Sequence, residues 1–513
     1  MNPPGMSSPT NAYIGSLCIV LHTHLPWVAH HGAWPVGEEW LHQAWAQSYT
    51  RVFSMLDRLG GQGRRDLLTM GITPVLAAQL DDPYCLRAHH EWLGDWQVRA
   101  TGLAGMREPH RRSAGQAEYR MAAAALENFE RDGRHGASPI VRRLADAGVV
   151  EFLGGPLSHT FTPDLSDDWA GATLTAGLDD ARLRWGSAPR GIWTPECAYR
   201  PGLAEVFARA GVDHLMLEGP TVLSAGATTD APWLLADTDI RVFGRDLPLA
   251  YRVWSPRRGY PGGRWYRDFH SYDHDWGMKI HRVTSRTTPP EDKAPYDPDR
   301  AAHAVRQDAR DFVDAVRNRL LEQRRAHPQR PGLAVVAYDT ELFGHWWHEG
   351  PQWLEEVLHL LPEAGIAPRS LSGALEHHDT VGRVHPDLGS WGSGKDFRVW
   401  SSPQTQDVRA ARAAAIDRVR YLLTRDRWTD RLTRDPARDQ LLTSLLLGLA
   451  SDWVFMISKE SAVDYARSRI VDHLADVEAV AAEIDSAASA AAWRSIADVD
   501  RPWGHVDARG FLD

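Results

Sequence analysis

Residues 16–26 read SLCIVLHTHLP, an uninterrupted apolar run that ends in two histidines. Runs without alternation of polar and apolar residues are typical of strands buried on both faces, as in parallel sheets. Similar runs occur at residues 66–74, 149–159, 191–196, 213–219 and 333–343. Helical patterns lie between them, so the sequence predicts an α/β fold, either a (β/α) barrel or a doubly wound sheet.

Polar side chains collect at the ends of several of these runs. His22 and His24 end the first run, Glu196 ends the run at 191–196, and Asp339 lies near the end of the last. Barrel enzymes build their active sites at the carboxyl ends of the strands. The position of these side chains therefore favours the barrel.

The chain of 513 residues is long enough for a large catalytic domain with a second domain appended. The sequence predicts a disordered N-terminus at 1–14, a barrel at 15–400 with a helical insertion at about 83–135, and a helical C-terminal domain at 401–513. The C-terminal prediction rests on Ala-, Leu- and Arg-rich helical patterns at 404–425, 436–449 and 461–485.

Charge and cysteine usage restrict the class of protein. The formal net charge of -10 argues against a nucleic acid or an anionic membrane as partner, because both require a basic surface. The three cysteines are far apart and form no CxxC pair, and the first residues lack the basic and apolar segments of a signal peptide. We therefore expect a cytoplasmic location. The most apolar run, at 441–450, is too short to span a bilayer.

Tryptophan occurs 22 times, well above its usual frequency. Indole and phenol rings combine a large apolar surface with a polar tip, and they suit the flat apolar faces of sugars. The composition therefore suggests a carbohydrate ligand. A core rich in tryptophan is the alternative interpretation.

The stretch GIWTPECAYRPGL at 191–203 offers two candidate nucleophiles, Glu196 and Cys197. Neighbours on a strand point to opposite sides, so Cys197 faces the wall if Glu196 faces a pocket. A cysteine nucleophile would also need a paired histidine to hold it as thiolate. We interpret Cys197 as a small buried residue and Glu196 as the reactive group.

A second carboxylate lies in YDTELFGHWWHEGP, residues 338–351. Asp339 and Glu341 are two apart at a strand end and share a face, and Trp346 follows among three further aromatic or imidazole side chains. Two carboxylates on separate strand ends are what glycoside chemistry needs, since one attacks the anomeric carbon and the other protonates the leaving oxygen.

Three histidines form a further candidate group. His22 and His24 lie on one face of a strand, and His159 in GGPLSHTFTP offers a third imidazole. Such a set would suit a catalytic zinc ion with one open position. Hydrogen bonding in a sugar pocket is the other interpretation, and both stay open at this point.

Four more residues lie in stretches typical of a binding cleft. Arg252 and Arg267 belong to the aromatic, Gly-rich segment 251–279 and could hold a carboxylate or sugar hydroxyls. Trp391 stands between glycines, where a ring can be presented without crowding. Asp452 precedes a tryptophan between two helices, where it serves either as a helix N-cap or as a substrate contact.

Taken in order, HTHLPW, EFLGGPLSHTF, GIWTPECAY, YDTELFGHWWHEGP and SDWVFMI resemble the five signature regions of glycoside hydrolase family 57. The resemblance runs from about residue 16 to about residue 470. It implies a distorted TIM-like (β/α)7 barrel with an inserted helical subdomain and a C-terminal helical domain that contributes to the cleft. Within the family, GHWWHEGP and the SDW segment most resemble the 1,4-α-glucan branching enzymes.

The resemblance also implies roles. By motif position Glu196 matches the nucleophile and Asp339 the general acid/base. The residues that match pocket or glucan contacts, or lie in the family's arginine-bearing loop, are His22, His24, His159, Arg252, Arg267, Trp346, Trp391 and Asp452. Donor and acceptor α-1,4-glucan chains are the implied partners, and no metal or other cofactor is implied. The sequence predicts no particular oligomeric state.

The implied reaction is transfer of an α-1,4-glucan chain to a 6-hydroxyl, which makes α-1,6 branches in glycogen or a related glucan. The alternatives are a 4-α-glucanotransferase or α-amylase of the same family, a metal-dependent polysaccharide deacetylase using the three histidines, and a glucan-binding protein without activity. Branching enzymes of the family carry a tyrosine on a loop after the strand that follows the nucleophile, whereas residues 218–235 contain no tyrosine. The balance between transfer and hydrolysis therefore stays open.

Overall fold

The computed structural model describes residues 13–255, 257–426, 428–430, 432–486 and 491–512. The predicted disorder at residues 1–14 falls almost entirely on residues 1–12, outside the described residues. Within the described ranges, no helix has both the length and the apolar character needed to cross a membrane.

The described residues form ten strands, most of them short and parallel. They are β1 (Gly15–Thr23), β2 (Leu68–Ile72), β3 (Val150–Leu153), β4 (Gly191–Ile192), β5 (His214–Leu217), β6 (Trp233–Leu235), β7 (Arg241–Gly244), β8 (Gly332–Asp339), β9 (Ile366–Arg369) and β10 (Arg383–Val384).

Seven parallel strands follow one another around a barrel, in the order β1, β2, β3, β4, β5, β7, β8. Two junctions are weak. A single bridge between Gly154 and Ile192 joins β3 to β4, and the Asp246 amide donates to the Val335 carbonyl oxygen at 2.7 Å where β7 meets β8. These narrow junctions distort the barrel. The prediction of a (β/α)7 barrel is confirmed.

Strand β1 is the most deeply enclosed strand, because β8 covers one edge while β2 and β9 share the other. All nine of its residues are buried, which explains its uninterrupted apolar sequence. The register places His22 beside Gly71 on one neighbour and beside Asp339 on the other. The carboxyl ends of the strands therefore bring the histidines and Asp339 together.

Eighteen α-helices complete the described chain. They are α1 (Glu38–Ala44), α2 (Thr50–Gly61), α3 (Pro74–Asp81), α4 (Pro83–Ala104), α5 (Pro109–Asn128), α6 (Ser138–Asp146), α7 (Asp167–Trp185), α8 (Leu203–Arg209), α9 (Gly219–Ser224), α10 (Leu247–Val253), α11 (Pro298–Ala326), α12 (Gly350–Glu363), α13 (Leu371–Leu375), α14 (Gln406–Thr424), α15 (Pro436–Gly448), α16 (Ser451–Ser458), α17 (Val463–Ser486) and α18 (Ala492–Ala497).

Helices α4 and α5 lie between β2 and β3 and pack along each other. Asp82 caps α4 by accepting hydrogen bonds from two amides of the first turn, and Pro83 follows at the first helical position. A glycine permits the close approach of the pair: a Cβ on Gly115 would lie 2.2 Å from the Ala104 nitrogen. The insertion is therefore a tightly packed helical hairpin.

Beyond β10 the described residues form the α-helices α14 to α18, which make up the C-terminal layer. The start of α16 is tied to the barrel, because the Ser451 amide donates to the His159 carbonyl oxygen at 2.8 Å. A bridge between Thr160 and Ala450 adds to this contact. The first turn of α16 is thereby held at the carboxyl ends of the barrel strands.

Candidate active site

A cleft of about 1160 Å³ opens at the carboxyl ends of the strands. Side chains from the barrel, from the segment before α14 and from α16 line it together. Eight of the ten residues selected from the sequence lie there: His22, His24, His159, Glu196, Asp339, Trp346, Trp391 and Asp452.

Glu196 lies in a 3-10 turn just after β4 and has a left-handed backbone, with φ of 64°. Only 8% of the residue is exposed. Its Oε1 accepts a hydrogen bond from Ser451 Oγ at 2.7 Å, and its Oε2 accepts one from Trp391 Nε1 at 3.0 Å. The unusual backbone and the two donors fix the carboxylate in one orientation towards the cleft.

Cys197 lies away from the cleft, but not through strand alternation. It also has positive φ, of 50°, in the same turn, so the strand predicted at 191–196 ends at Ile192. Its thiol packs in a buried cluster with Trp193 and Met216. Burial raises the pKa of this thiol well above its usual value, which keeps it protonated and unreactive.

A directed chain of hydrogen bonds reaches Glu196 from the barrel interior. Burial lowers the pKa of His22 and of His159, so both rings are neutral. An ionised Glu196 only accepts, so we assign the Ser451 hydroxyl as its donor; the hydroxyl oxygen then accepts from His159 Nδ1 at 2.9 Å. His159 Nε2 is left as the acceptor for His22 Nε2 at 3.1 Å.

The far end of this chain agrees with that assignment. His22 Nδ1 is buried and has no hydrogen-bond partner among the described residues, as suits the lone pair of a ring whose proton is on Nε2. The His22 ring stacks on Trp193 with centroids 4.6 Å apart. The chain therefore ends in packed, neutral groups, and its net effect is to aim a hydroxyl proton at Glu196.

Asp452 joins the cleft from the first turn of α16. His24 Nε2 lies 2.9 Å and 3.1 Å from its two carboxylate oxygens, and His24 Nδ1 lies 2.9 Å from Thr73 Oγ1. Burial alone would raise the pKa of Asp452, but the charge and hydrogen bond of His24 outweigh burial and lower it. Asp452 is therefore ionised at neutral pH.

Asp339 is the last residue of β8, and its carboxyl is half-buried in the cleft. Burial raises its pKa to about 6, against the opposing charge of Arg245. Behind it, Glu341 accepts from Tyr49 Oη at 2.5 Å and from the His24 amide at 3.3 Å. Burial and the charge of Asp339 raise the pKa of Glu341 to about 8, so Glu341 is protonated at neutral pH.

The carboxyl groups of Glu196 and Asp339 both have raised pKa values. Burial, followed by the charge of Asp452, raises the pKa of Glu196 to about 7, close to that of Asp339. Both carboxyls therefore titrate near neutral pH. Two hydrogen-bond donors reach the Glu196 carboxylate, whereas none from the described part of the chain reaches Asp339. The two donors stabilise the ionised form of Glu196 and so oppose the effect of burial.

Neither Arg252 nor Arg267 is among the described residues that line the cleft, and their contact with substrate stays a prediction. Arg252 donates to both carboxylate oxygens of Asp311 on α11, at 2.8 Å and 2.6 Å. Arg267 pairs with Glu118 on α5 and donates to the Lys279 carbonyl oxygen at 2.6 Å. Acidic partners on neighbouring helices hold both side chains away from Glu196.

Arg245, which was not predicted from the sequence as a site residue, lines the cleft, as does Arg99. It donates to Glu218 Oε2 at 3.1 Å and to the Ala337 carbonyl oxygen at 2.7 Å, and its guanidinium lies 5.7 Å from the Trp391 ring centroid. Arg245 directly follows the apolar stretch of β7, and this position at a strand end is the sequence feature that could have identified it as a cleft residue. Ser451 was also missed, although it stands beside Asp452 in the sequence.

The segment 218–235 has no tyrosine and forms α9 followed by β6. A tyrosine reaches the cleft from elsewhere: Tyr251 on α10 is 43% exposed and lines it. Lys395 Nζ lies 5.5 Å from the centroid of that ring. The aromatic lining therefore does not depend on segment 218–235.

Three groups in the cleft have ligand atoms within 4.8 Å of one another: His24, His159 and Asp452. In donor type they would suit a divalent metal ion. His159 Nδ1 is engaged with Ser451, however, and His24 Nε2 with Asp452. A metal bound to those atoms would break the hydrogen-bond chain that reaches Glu196.

Comparison with known proteins agrees with this geometry. The family model described as glycosyl hydrolase family 57 matches residues 18–382, and the model described as 1,4-alpha-glucan branching enzyme, C-terminal, matches residues 412–511. A probable 1,4-alpha-glucan branching enzyme of Mycobacterium tuberculosis is 47% identical over 485 residues, which cover 90% of this chain and 91% of that protein.

Two solved structures have the same fold over almost their whole length. A family 57 branching enzyme of Thermococcus kodakaraensis, crystallised with glucose, aligns with a TM-score of 0.92 at 29% identity and covers 98% of this chain and 97% of its own. A family 57 branching enzyme of Pyrococcus horikoshii aligns with a TM-score of 0.90 at 30% identity, with the same coverage. By its sequence, its barrel and the carboxylate pair in its cleft, the chain belongs to glycosyl hydrolase family 57.

Proposed function

We propose that this chain is a 1,4-α-glucan branching enzyme, which cleaves an α-1,4-glucan and transfers the released chain to a 6-hydroxyl to make an α-1,6 branch. The observation that carries the proposal is the pair of Glu196 and Asp339 in one cleft, where two of the described side chains donate to Glu196 and none donates to Asp339. The branching-enzyme relatives support the choice of reaction.

In the first step Glu196 attacks C1 of the donor glucan as the bond between C1 and the glycosidic oxygen breaks. Asp339 gives its proton to that oxygen, and the departing chain leaves with a free 4-hydroxyl. The product is a glycosyl ester on Glu196. Ser451 and Trp391 hold the attacking carboxylate in place, and protonation near pH 6 suits Asp339 for the acid role.

In the second step the ionised Asp339 takes the proton of an acceptor 6-hydroxyl, the acceptor O6 attacks C1, and Glu196 leaves as a carboxylate. One α-1,4 bond has been exchanged for one α-1,6 bond, with no net proton change. The acceptor O6 must attack the glycosyl ester faster than water does. Positioning of the acceptor and exclusion of solvent therefore decide between transfer and hydrolysis. Trp346 and Trp391 are walls suited to both tasks.

We infer that the chain divides into a barrel at 15–400, with the insertion at about 83–135, and a C-terminal domain at 401–513 that completes the site. Asp452, which lines the cleft, and Ser451, which donates to Glu196, support this role for the C-terminal part. We further infer a cytoplasmic enzyme acting on glycogen or a related glucan. Three free, buried cysteines and the acidic net charge are consistent with that location.

The test is incubation with amylose followed by debranching with isoamylase. The wild-type protein should yield short chains on debranching, and Glu196→Gln and Asp339→Asn should lose that activity by roughly a thousandfold or more. Arg252→Gln, which lies outside the cleft, should retain it and is the matched control.

Each rival gives a different result. A hydrolase releases reducing ends but leaves no short chains for isoamylase, and a 4-α-glucanotransferase changes chain lengths without new branches. A metal-dependent deacetylase loses activity after treatment with a chelator and regains it with zinc. Retained branching activity in Glu196→Gln would refute the assignment of the nucleophile.

A further inference from the structure

A second cavity, here called the side cavity, adjoins the catalytic cleft. It has a volume of about 430 Å³ and lies between the hairpin of α4 and α5 and the helices α1 and α2. His345 and Trp346 line both the cleft and the side cavity, and so form part of the wall between them. Among the described residues that line it, neither Glu196 nor Asp339 occurs.

Aromatic rings and amides make up much of its wall. Trp92 and Trp96 of α4 lie with ring centroids 5.5 Å apart. Their indole N–H groups donate to Glu39 at 2.8 Å and to Glu118 at 2.9 Å, which fixes the orientation of both rings. The side-chain amides that line the cavity are those of Gln43, Gln47, Asn128 and Gln352. Fixed rings beside neutral hydrogen-bonding groups are typical of carbohydrate sites.

Lys279 supplies a buried polar group that has no hydrogen-bond partner among the described residues. Its ammonium nitrogen lies 3.7 Å from the ring centroid of Phe269 and 5.3 Å from that of Tyr272. Burial, followed by the charge of Arg267, lowers the pKa of Lys279 to about 7. A buried donor in this state gains from a neutral acceptor such as a sugar hydroxyl oxygen.

We propose that the side cavity binds the acceptor α-glucan chain before transfer. This rests on the proposed branching function. In a retaining exchange, the leaving chain and the incoming acceptor occupy the same side of the scissile bond, where the acid/base stands. His345 and Trp346 belong to the segment that follows Asp339 in the sequence, so the side cavity borders the cleft at the segment next to the acid/base.

The experiment separates the two half-reactions with α-maltosyl fluoride as donor and maltoheptaose as acceptor. Fluoride release reports formation of the ester on Glu196, in which the C1–F bond breaks and the C1–O bond forms. Transfer to maltoheptaose reports acceptor binding. Lys279→Met and Trp92→Ala should each raise the maltoheptaose concentration for half-maximal transfer at least fivefold and leave the rate of fluoride release within twofold of wild type.

Arg190→Met is the matched control, because Arg190 is an exposed basic residue that pairs with Asp213 at 3.0 Å and lines neither the cleft nor the side cavity. This control variant should change neither the maltoheptaose concentration for half-maximal transfer nor the rate of fluoride release. If the acceptor concentration for half-maximal transfer is unchanged in both Trp92→Ala and Lys279→Met, the proposal is overturned. If one variant fails to fold, as judged by lost fluoride release, the other decides. A wild-type protein that releases fluoride but transfers nothing to maltoheptaose would instead refute the proposed function.

Discussion

At the scale of single residues, the orientation of Glu196 depends on side chains far away in the sequence. Ser451 and Trp391 donate to its two carboxylate oxygens, and neither belongs to the seven barrel strands. Hydrogen bonds to a charged acceptor are the strong ones, and both favour the ionised form. The reactivity of the carboxylate is therefore controlled by residues outside the barrel sheet.

Ser451→Ala should lower kcat/KM and move its pH profile. The change removes the donor to Glu196 Oε1, so the pKa of Glu196 rises above about 7. Since only ionised Glu196 attacks, the acidic limb of kcat/KM should shift to higher pH. A hydrogen bond to a charged group contributes about 1.5–3 kcal/mol, which corresponds to a loss of roughly tenfold or more. The measurement is branching rate against pH from 5 to 9.

Two variants control for that result. Ser451→Thr keeps the hydroxyl and should return the acidic limb towards its wild-type position. Ser444→Ala alters another buried serine, whose Oγ accepts from Gln440 at 3.3 Å, and should leave the profile alone. An acidic limb that does not move in Ser451→Ala would show that the hydroxyl does not act on Glu196.

Residue types and strand ends were sufficient to predict Glu196 and Asp339 as cleft residues. A charged side chain at the end of a buried strand avoids the apolar core, and the cleft at the strand ends is the polar region within its reach. The direction of long side chains was not predictable. Arg252 pairs with an acidic residue on α11 and Arg267 with one on α5. These partners are distant in sequence, so only the three-dimensional structure identifies them. Cys197 faces away for a different reason than expected, a left-handed turn.

At the scale of elements, long apolar runs were sufficient to predict β1 and β8. The short strands were harder. β4 has two residues and β7 has four, so neither leaves a clear periodic pattern, and β7 was not predicted. Such strands persist because neighbouring strands hold them, which a single sequence does not report.

The hairpin of the insertion offers a matched pair of glycines. A Cβ on Gly115 of α5 would lie 2.2 Å from the Ala104 nitrogen, whereas one on Gly94 of α4 has no atom within 4 Å. Gly115→Ala should therefore push α5 away from α4 and lower the melting temperature by several degrees. Gly94→Ala should raise stability by about 0.5–1 kcal/mol, because alanine has the higher helix propensity.

Thermal unfolding of both variants, followed by circular dichroism, checks this prediction. Because α4 and α5 form one wall of the side cavity, Gly115→Ala should also weaken transfer to maltoheptaose more than it weakens fluoride release. Equal melting temperatures for the two alanine variants would contradict the close packing of the hairpin.

At the scale of the whole molecule, the cleft exists only when the barrel and the C-terminal helices meet. Asp452 pairs with His24 across most of the chain length, and Ser451 links His159 to Glu196. Burying these groups together places several carboxyls where ionisation is costly. The same burial that prepares the site for catalysis therefore lowers stability at higher pH.

The variant Glu341→Gln should reveal how much the buried carboxyl lowers the free energy of unfolding as pH rises. Burial raises the pKa of Glu341 to about 8, above the ordinary value of 4.5, so the folded protein keeps a proton that the unfolded chain has lost between those pH values. The contribution of this group is fully present at low pH and is lost as pH rises towards 8. Glutamine does not titrate and can still accept from Tyr49. The free energy of unfolding of the variant, relative to wild type, should therefore rise between pH 5 and pH 8 by on the order of a few kcal/mol.

Urea unfolding at four pH values between 5 and 8 tests this, with Glu355→Gln as a control of opposite sign. The Arg58 side chain hydrogen-bonds Glu355 and lowers its pKa, so that carboxylate contributes stability above pH 4.5 that is lost as pH falls. Relative to wild type, Glu355→Gln should therefore not gain stability as pH rises. Parallel stability curves for wild type and Glu341→Gln would show that the raised pKa of Glu341 is not a feature of the folded protein, and that ionising the cleft carboxyls costs the fold little.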